Sequence, residues 1–183
     1  MQKKISMTGI SLGFIFLFFV FHSSLQCVPS TEITVKEITP FSYCCLHHKG
    51  PYSDMEPIIT QLIAIMQNQN LAPTGTLLSV YYSDPGQVKT QDLEWEVGFP
   101  ISEQVSVEPP LIKKQWTHQL VVQAVHAGPY EKTSETITEI LEWMSSHGYV
   151  QDGPILGFYL NMPDSETRPE DLKTEIWVSC KKD

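Results

Sequence analysis

The sequence predicts an α+β fold. It is built of two tandem β-α-β-β units related by pseudo-twofold symmetry, with an antiparallel sheet, two helices on one face and an open face opposite. Three observations lead there. His48-Lys49-Gly50-Pro51-Tyr52 returns 78 residues later as His126-Ala127-Gly128-Pro129-Tyr130. The likeness then continues at the same offset: Ile59 with Ile137, Leu62 with Ile140, Met66 with Met144, Leu78 with Leu156 and Tyr81 with Tyr159. After one inserted residue it resumes, with Glu96 matching Glu175 and Val97 matching Ile176. A repeat of this length is one supersecondary unit written twice.

Each unit reads alike. Val35 to His47 is rich in β-branched and aromatic residues, with Pro40 marking a break. Gly50-Pro51-Tyr52 turns the chain into a helix over 55–69, which Ser53 or Asp54 can cap. Its buried stripe is Ile59, Leu62, Ile63 and Met66, at helical spacing. Strands follow at 77–83 and 93–101, with the turn signal Asp84-Pro85-Gly86 between them. In the second unit 116–126 is a strand and 133–146 a helix with the stripe Ile137, Ile140, Leu141 and Met144. Gly148 stops that helix. Strands at 155–161 and 173–180 close the chain. Repeat one spans 35–101, a linker 102–115 carries two prolines, and repeat two spans 116–180.

Residues 1–26 stand apart. Lys3 and Lys4 precede the apolar run Ile10–Phe21, which is shorter than the ~20 residues of a spanning helix. The layout predicts a signal peptide or N-terminal membrane anchor, and so an exported protein: periplasmic, membrane-anchored or secreted. Membrane association could run through this segment or through a lipidated Cys27. Residues 27–34 are a short lead-in. Cys44, Cys45 and Cys180 leave two readings: one of the neighbouring pair bridges Cys180, or all three are small buried apolar residues.

Composition excludes several classes. The chain has 183 residues and a formal charge of −9, with no basic stripe of the kind nucleic acid requires. No nucleic-acid partner is expected. No Cys/His spacing supports a metal, no cofactor is expected, and no nucleophile elbow is present.

Alternation along the closing strands then selects candidate residues. Leu93, Trp95 and Val97 share one face and Glu96 the other. Thr174, Ile176 and Val178 share one face, Glu175 and Trp177 the other. With the apolar faces on the helices, Glu96, Glu175 and Trp177 point to the open side. Continuing the alternation puts Leu156, Phe158 and Leu160 behind, and Tyr81 and Tyr159 in front beside the glutamates. Carboxylates among aromatic rings attract organic cations.

The doubled unit, its two Gly-Pro-Tyr turns, Gly157-Phe158-Tyr159-Leu160 and Thr174-Glu175-Ile176-Trp177-Val178 resemble the GyrI-like family, the effector-binding domains of AraC-type and MerR-type activators. The resemblance covers roughly residues 35–180. It implies a groove on the open face that takes a lipophilic or cationic small molecule, with Glu175 as the acidic contact. Trp177, Tyr159 and Tyr81 would be walls and Glu96 a rim carboxylate. Some members resembling this chain hydrolyse small electrophiles, which would make Glu175 a general base and Tyr159 its hydroxyl partner. A protein-interaction domain is the third reading. The haem-binding SOUL proteins share the fold, but His48 and His126, just before a turn in both units, suit structural hydrogen bonds better.

Overall fold

The computed structural model describes residues 32–162 and 167–183. The signal or anchor segment and Cys27 lie outside them. Among the described residues no helix is long and apolar enough to cross a membrane.

The elements are β1 (Thr34–Glu37), β2 (Phe41–Lys49), α1 (Met55–Asn68), β3 (Leu78–Tyr81), β4 (Glu94–Pro100), β5 (Ile112–Trp116), β6 (Leu120–Ala127), α2 (Thr133–Ser146), β7 (Tyr149–Tyr159) and β8 (Lys173–Lys182). The strands form one antiparallel sheet in the order β1-β6-β8-β7-β3-β4-β2-β5. Read outward from the middle, β3-β4-β2-β5 repeats β7-β8-β6-β1. The pseudo-twofold axis therefore passes between β3 and β7, where Ser79 pairs with its own repeat counterpart Gly157.

The outermost strands are exchanged. β1 belongs to the first repeat and pairs with β6 of the second. β5, which apart from Trp116 lies in the segment expected to be a linker, pairs with β2 of the first. Positions 112–115 lie 78 after 34–37, so β5 is the counterpart of β1 and each repeat holds four strands. The break at Pro40 separates β1 from β2, which sends the two to opposite halves of the sheet.

Both helices lie on one face. α1 buries Leu62 and Met66, and α2 buries Thr136, Ile140 and Met144. Ile58, Ile59 and Ile65 of α1, and Ile137 and Trp143 of α2, pack partly buried against the same cores. Ile63 and Leu141, expected in the stripes, are exposed. They match across the repeat, so the stripe is rotated the same way in both helices. Asp54 does not cap α1. Its carboxylate instead meets His48 Nε2 at 3.0 Å.

The duplicated turn has one construction. Gly50 (φ +154°) and Gly128 (φ +135°) take backbone angles that side chains disfavour. A Cβ at Gly50 would stand 2.8 Å from His48 Nε2. Each following tyrosine then donates its hydroxyl to a matched carbonyl, Tyr52 to Ser83 at 3.4 Å and Tyr130 to Asn161 at 3.1 Å. His126 completes its turn through Thr136 Oγ1 at 2.9 Å and the Pro129 carbonyl at 3.1 Å. These contacts give both histidines local structural roles. Cys44, Cys45 and Cys180 are free buried thiols. The bridge to Cys180 is not formed.

Candidate ligand site

Facing pairs settle which residues share each side. Across the sheet Glu96 faces Val80, Val80 faces Leu156, and Leu156 faces Trp177. In the next row on the same face Leu78 faces Phe158, and Phe158 faces Glu175. Glu96, Glu175 and Trp177 thus share the open face, as the alternation of β4 and β8 predicts. Phe158 and Leu156 lie there too, contrary to expectation.

Tyr81 and Tyr159 are on the other side, and this corrects the reading of both as groove walls. Tyr81 faces Trp95 and Tyr159 faces Thr174, both on the helix face. There Ser79 Oγ lies 2.9 Å from both tyrosine hydroxyls, which are 3.2 Å from each other. The Tyr159 hydroxyl also meets Met55 Sδ at 3.1 Å, and Tyr130 packs edge-on to its ring. Burial holds the Tyr159 phenol well above its ordinary pKa. The physical reason for the misreading is that both faces of β3 and β7 are apolar. At the axis the helix side takes the small and phenolic residues Ser79, Gly157, Tyr81 and Tyr159. Glu175 and Tyr159 therefore do not face one substrate, and the geometry gives the hydrolytic pair no common site.

The face away from the helices carries an aromatic cluster, and the curl of the sheet buries it: Trp116, Trp177 and Phe158 are only 3%, 6% and 9% exposed. Phe41 lies 6.1 Å from Phe158, 6.4 Å from Trp116 and 6.5 Å from Trp177. On a flat sheet β2 and β8, four strands apart, would be ~19 Å from one another. Sheet twist brings their rings together. Sequence reasoning missed Phe41, Trp116 and Phe158. Phe41 opens β2 just past the break at Pro40, and Trp116, expected to open the strand 116–126, instead ends β5.

Two carboxylates border these rings. Glu96 is fully buried and held on four sides. Tyr43 and Tyr82 donate to its Oε2 at 3.2 Å and 3.0 Å, Lys114 Nζ bonds Oε1, and His47 Nδ1 lies 3.4 Å from Oε1. Burial, then the Glu96 charge, pushes the Tyr43 and Tyr82 phenols up. For Lys114 burial acts downward, but the bond to Glu96 and its charge outweigh it and the ammonium is stabilised. A cavity of about 250 Å³ opens between Tyr43, Tyr82, Lys114, Trp116, His118 and Pro154.

Glu175 is different. Its side chain is 20% exposed and has two partners, the Trp177 Nε1 donor at 2.8 Å and Lys36 Nζ at 3.2 Å. Lys36 Nζ also stands 4.9 Å from the centre of the Trp177 ring. A larger hollow of about 590 Å³, between Glu37–Pro40 and Gln119–Leu120, holds no aromatic ring and no basic side chain.

An eight-stranded pseudo-symmetric sheet with two helices behind it is the architecture of an effector-binding domain. The chain belongs to the GyrI-like small molecule binding domain family, whose model matches residues 20–181. No curated protein sequence matches it. Among solved structures it is similar to EcmrR in a DNA complex, at 16% identity and TM-score 0.75, over 84% of this chain and 58% of that one. This chain thus spans little more than half of EcmrR. It is similar to a hydrolase from Listeria innocua at 15% identity and TM-score 0.65, over 85% and 94% of the two chains. It is also similar to SAV2435 bound to tetraphenylphosphonium, at 10% identity and TM-score 0.53, over 82% and 94%. At these identities the likenesses show the fold alone. The exported, periplasmic, membrane-anchored or secreted location expected above finds no support in them: the likeness is to the C-terminal domain of EcmrR, a protein that complexes DNA, and not to an exported protein.

Proposed function

We propose that the open face binds a lipophilic organic cation, with Glu175 as its counter-charge and Trp177, Phe158 and Phe41 as its apolar bed. One observation carries this reading. Glu175 and Trp177 already hold a cation, the Lys36 ammonium, between a carboxylate oxygen and an indole face. A carboxylate beside an aromatic face attracts organic cations through its charge and the ring quadrupole together. The other carboxylate, Glu96, is sealed by its own partners and acts as a structural anchor beside the site. SAV2435, which shares the fold, is bound to tetraphenylphosphonium. That compound is a suitable probe.

The test is isothermal titration of the native chain and of Glu175→Gln with tetraphenylphosphonium. Removing the charge while keeping the shape should weaken binding at least about tenfold, the equivalent of about 1.4 kcal/mol. Equal affinity in the two proteins would remove the reading.

A further inference from the structure

Lys36 and Lys114 are 78 residues apart, so they are repeat counterparts, as Glu96 and Glu175 are at the shifted offset of 79. Each lysine sits on an exchanged outer strand and reaches the glutamate of the opposite repeat: Lys36 to Glu175, Lys114 to Glu96. Each ammonium also lies over an aromatic ring, Lys36 over Trp177 at 4.9 Å and Lys114 over Tyr82 at 5.4 Å. The sheet therefore carries one lysine–glutamate pair twice, each with a ring from a different position beside it: Tyr82 corresponds to Leu160, and Trp177 to Gly98.

The two pairs differ in hold. Glu96 is wholly buried and keeps four partners, so Lys114 is one part of a closed network. Lys36 is 42% exposed, contacts a single carboxylate oxygen, and comes from a four-residue strand paired only with β6. An exposed pair of this kind is weakly held, and its ammonium can swing into water at little cost.

We infer that Lys36 is an internal competitor for the cation site, and that it sets how strongly any external cation binds there. The inference rests on the cation reading of Glu175. A tethered ammonium acts at a high effective concentration, so a free cation must outdo it. A small hydrated cation offers Glu175 nothing that Lys36 does not already supply. A bulky aromatic cation adds contact with the Trp177 face that Lys36 leaves, and reaches the buried Phe158 ring only by parting it from Trp177. The arrangement leaves the site neutral when empty and raises the threshold for every cationic ligand.

The test uses the whole chain and tetraphenylphosphonium, titrated calorimetrically at fixed ionic strength into the native protein, Lys36→Gln, Lys36→Met and Lys36→Arg. Removing the internal cation should tighten binding about tenfold in both Lys36→Gln and Lys36→Met, while Lys36→Arg stays near native. Glutamine adds no apolar surface, so tightening in methionine alone would mean a packing effect and would overturn the inference. Binding in the native chain that is unchanged or weaker in both neutral variants would overturn it while leaving the cation reading intact. Absence of binding in the native chain and in all three variants would remove the inference and the cation reading together.

Discussion

The two carboxylates of the open face occupy matching places in a duplicated unit, yet one is sealed and the other accessible. Glu96 has no exposed surface and four polar partners, whereas Glu175 keeps 20% of its side chain exposed and has two. The backbone register is the same for both. The side chains around them differ: Tyr43, Tyr82 and His47 close over Glu96, and no equivalent group is bonded to Glu175 among the described residues. The comparison teaches that a repeat fixes where a charge points, while its neighbours decide whether that charge serves the fold or a ligand.

The largest expected effect breaks the sealed side. Lys114→Met leaves the buried Glu96 carboxylate without its ammonium and should lower stability by about 3 kcal/mol, whereas Lys36→Met should change it by less than about 1 kcal/mol. Urea unfolding of the two variants measures both, and equal losses would erase the distinction. Next comes a single donor. Tyr43→Phe removes a bond to a buried charge and should cost about 2 kcal/mol in the same assay.

Alkaline pH sharpens the same contrast. The Tyr43 and Tyr82 phenols beside Glu96 are raised above their ordinary value of 10.0, and Tyr52 at the first turn is raised to about 12, by burial first in each case. Below pH 10 these phenols are neutral in both folded and unfolded chains. Above it the unfolded chain releases protons that the native one retains, so stability falls as pH rises, most steeply between about pH 10 and 12. Stability measured against pH should show this slope. Tyr81, Tyr130 and Tyr159 are raised in the same direction, so Tyr43→Phe should reduce the slope by one phenol's share, and variants at Lys36 or Trp177 should leave it unchanged. The smallest effect separates the turns. Gly50→Ala should cost about 1–2 kcal/mol and Gly128→Ala somewhat less. Both glycines have positive φ, but only at Gly50 would a Cβ press within 3 Å of the preceding histidine. Paired thermal melts resolve the difference.

Much of this frame is legible in the amino-acid order. The repeat, the sequence of elements, the span of α2 and the common face of Glu96, Glu175 and Trp177 all follow from spacing and alternation. The site itself is less legible. Alternation assigns a face only when one face is polar, and in β3 and β7 both are apolar, so Tyr81 and Tyr159 are placed on the wrong side. β5 escapes because Lys-Lys-Gln has little strand character by itself. Its strand conformation comes from pairing with β2. Extending the 78-residue offset to 112–115 would have matched it to β1, and would have shown Lys36 and Lys114 as partners. The aromatic cluster depends on sheet twist, which joins residues no local pattern connects.

The most direct measurement is a crystal structure of the chain with tetraphenylphosphonium bound. The account predicts the phosphonium beside the Glu175 carboxylate and Trp177 ring, with the Lys36 ammonium displaced into solvent and the Glu96–Lys114 pair intact. A ligand seated elsewhere, with Lys36 still on Glu175, would contradict it.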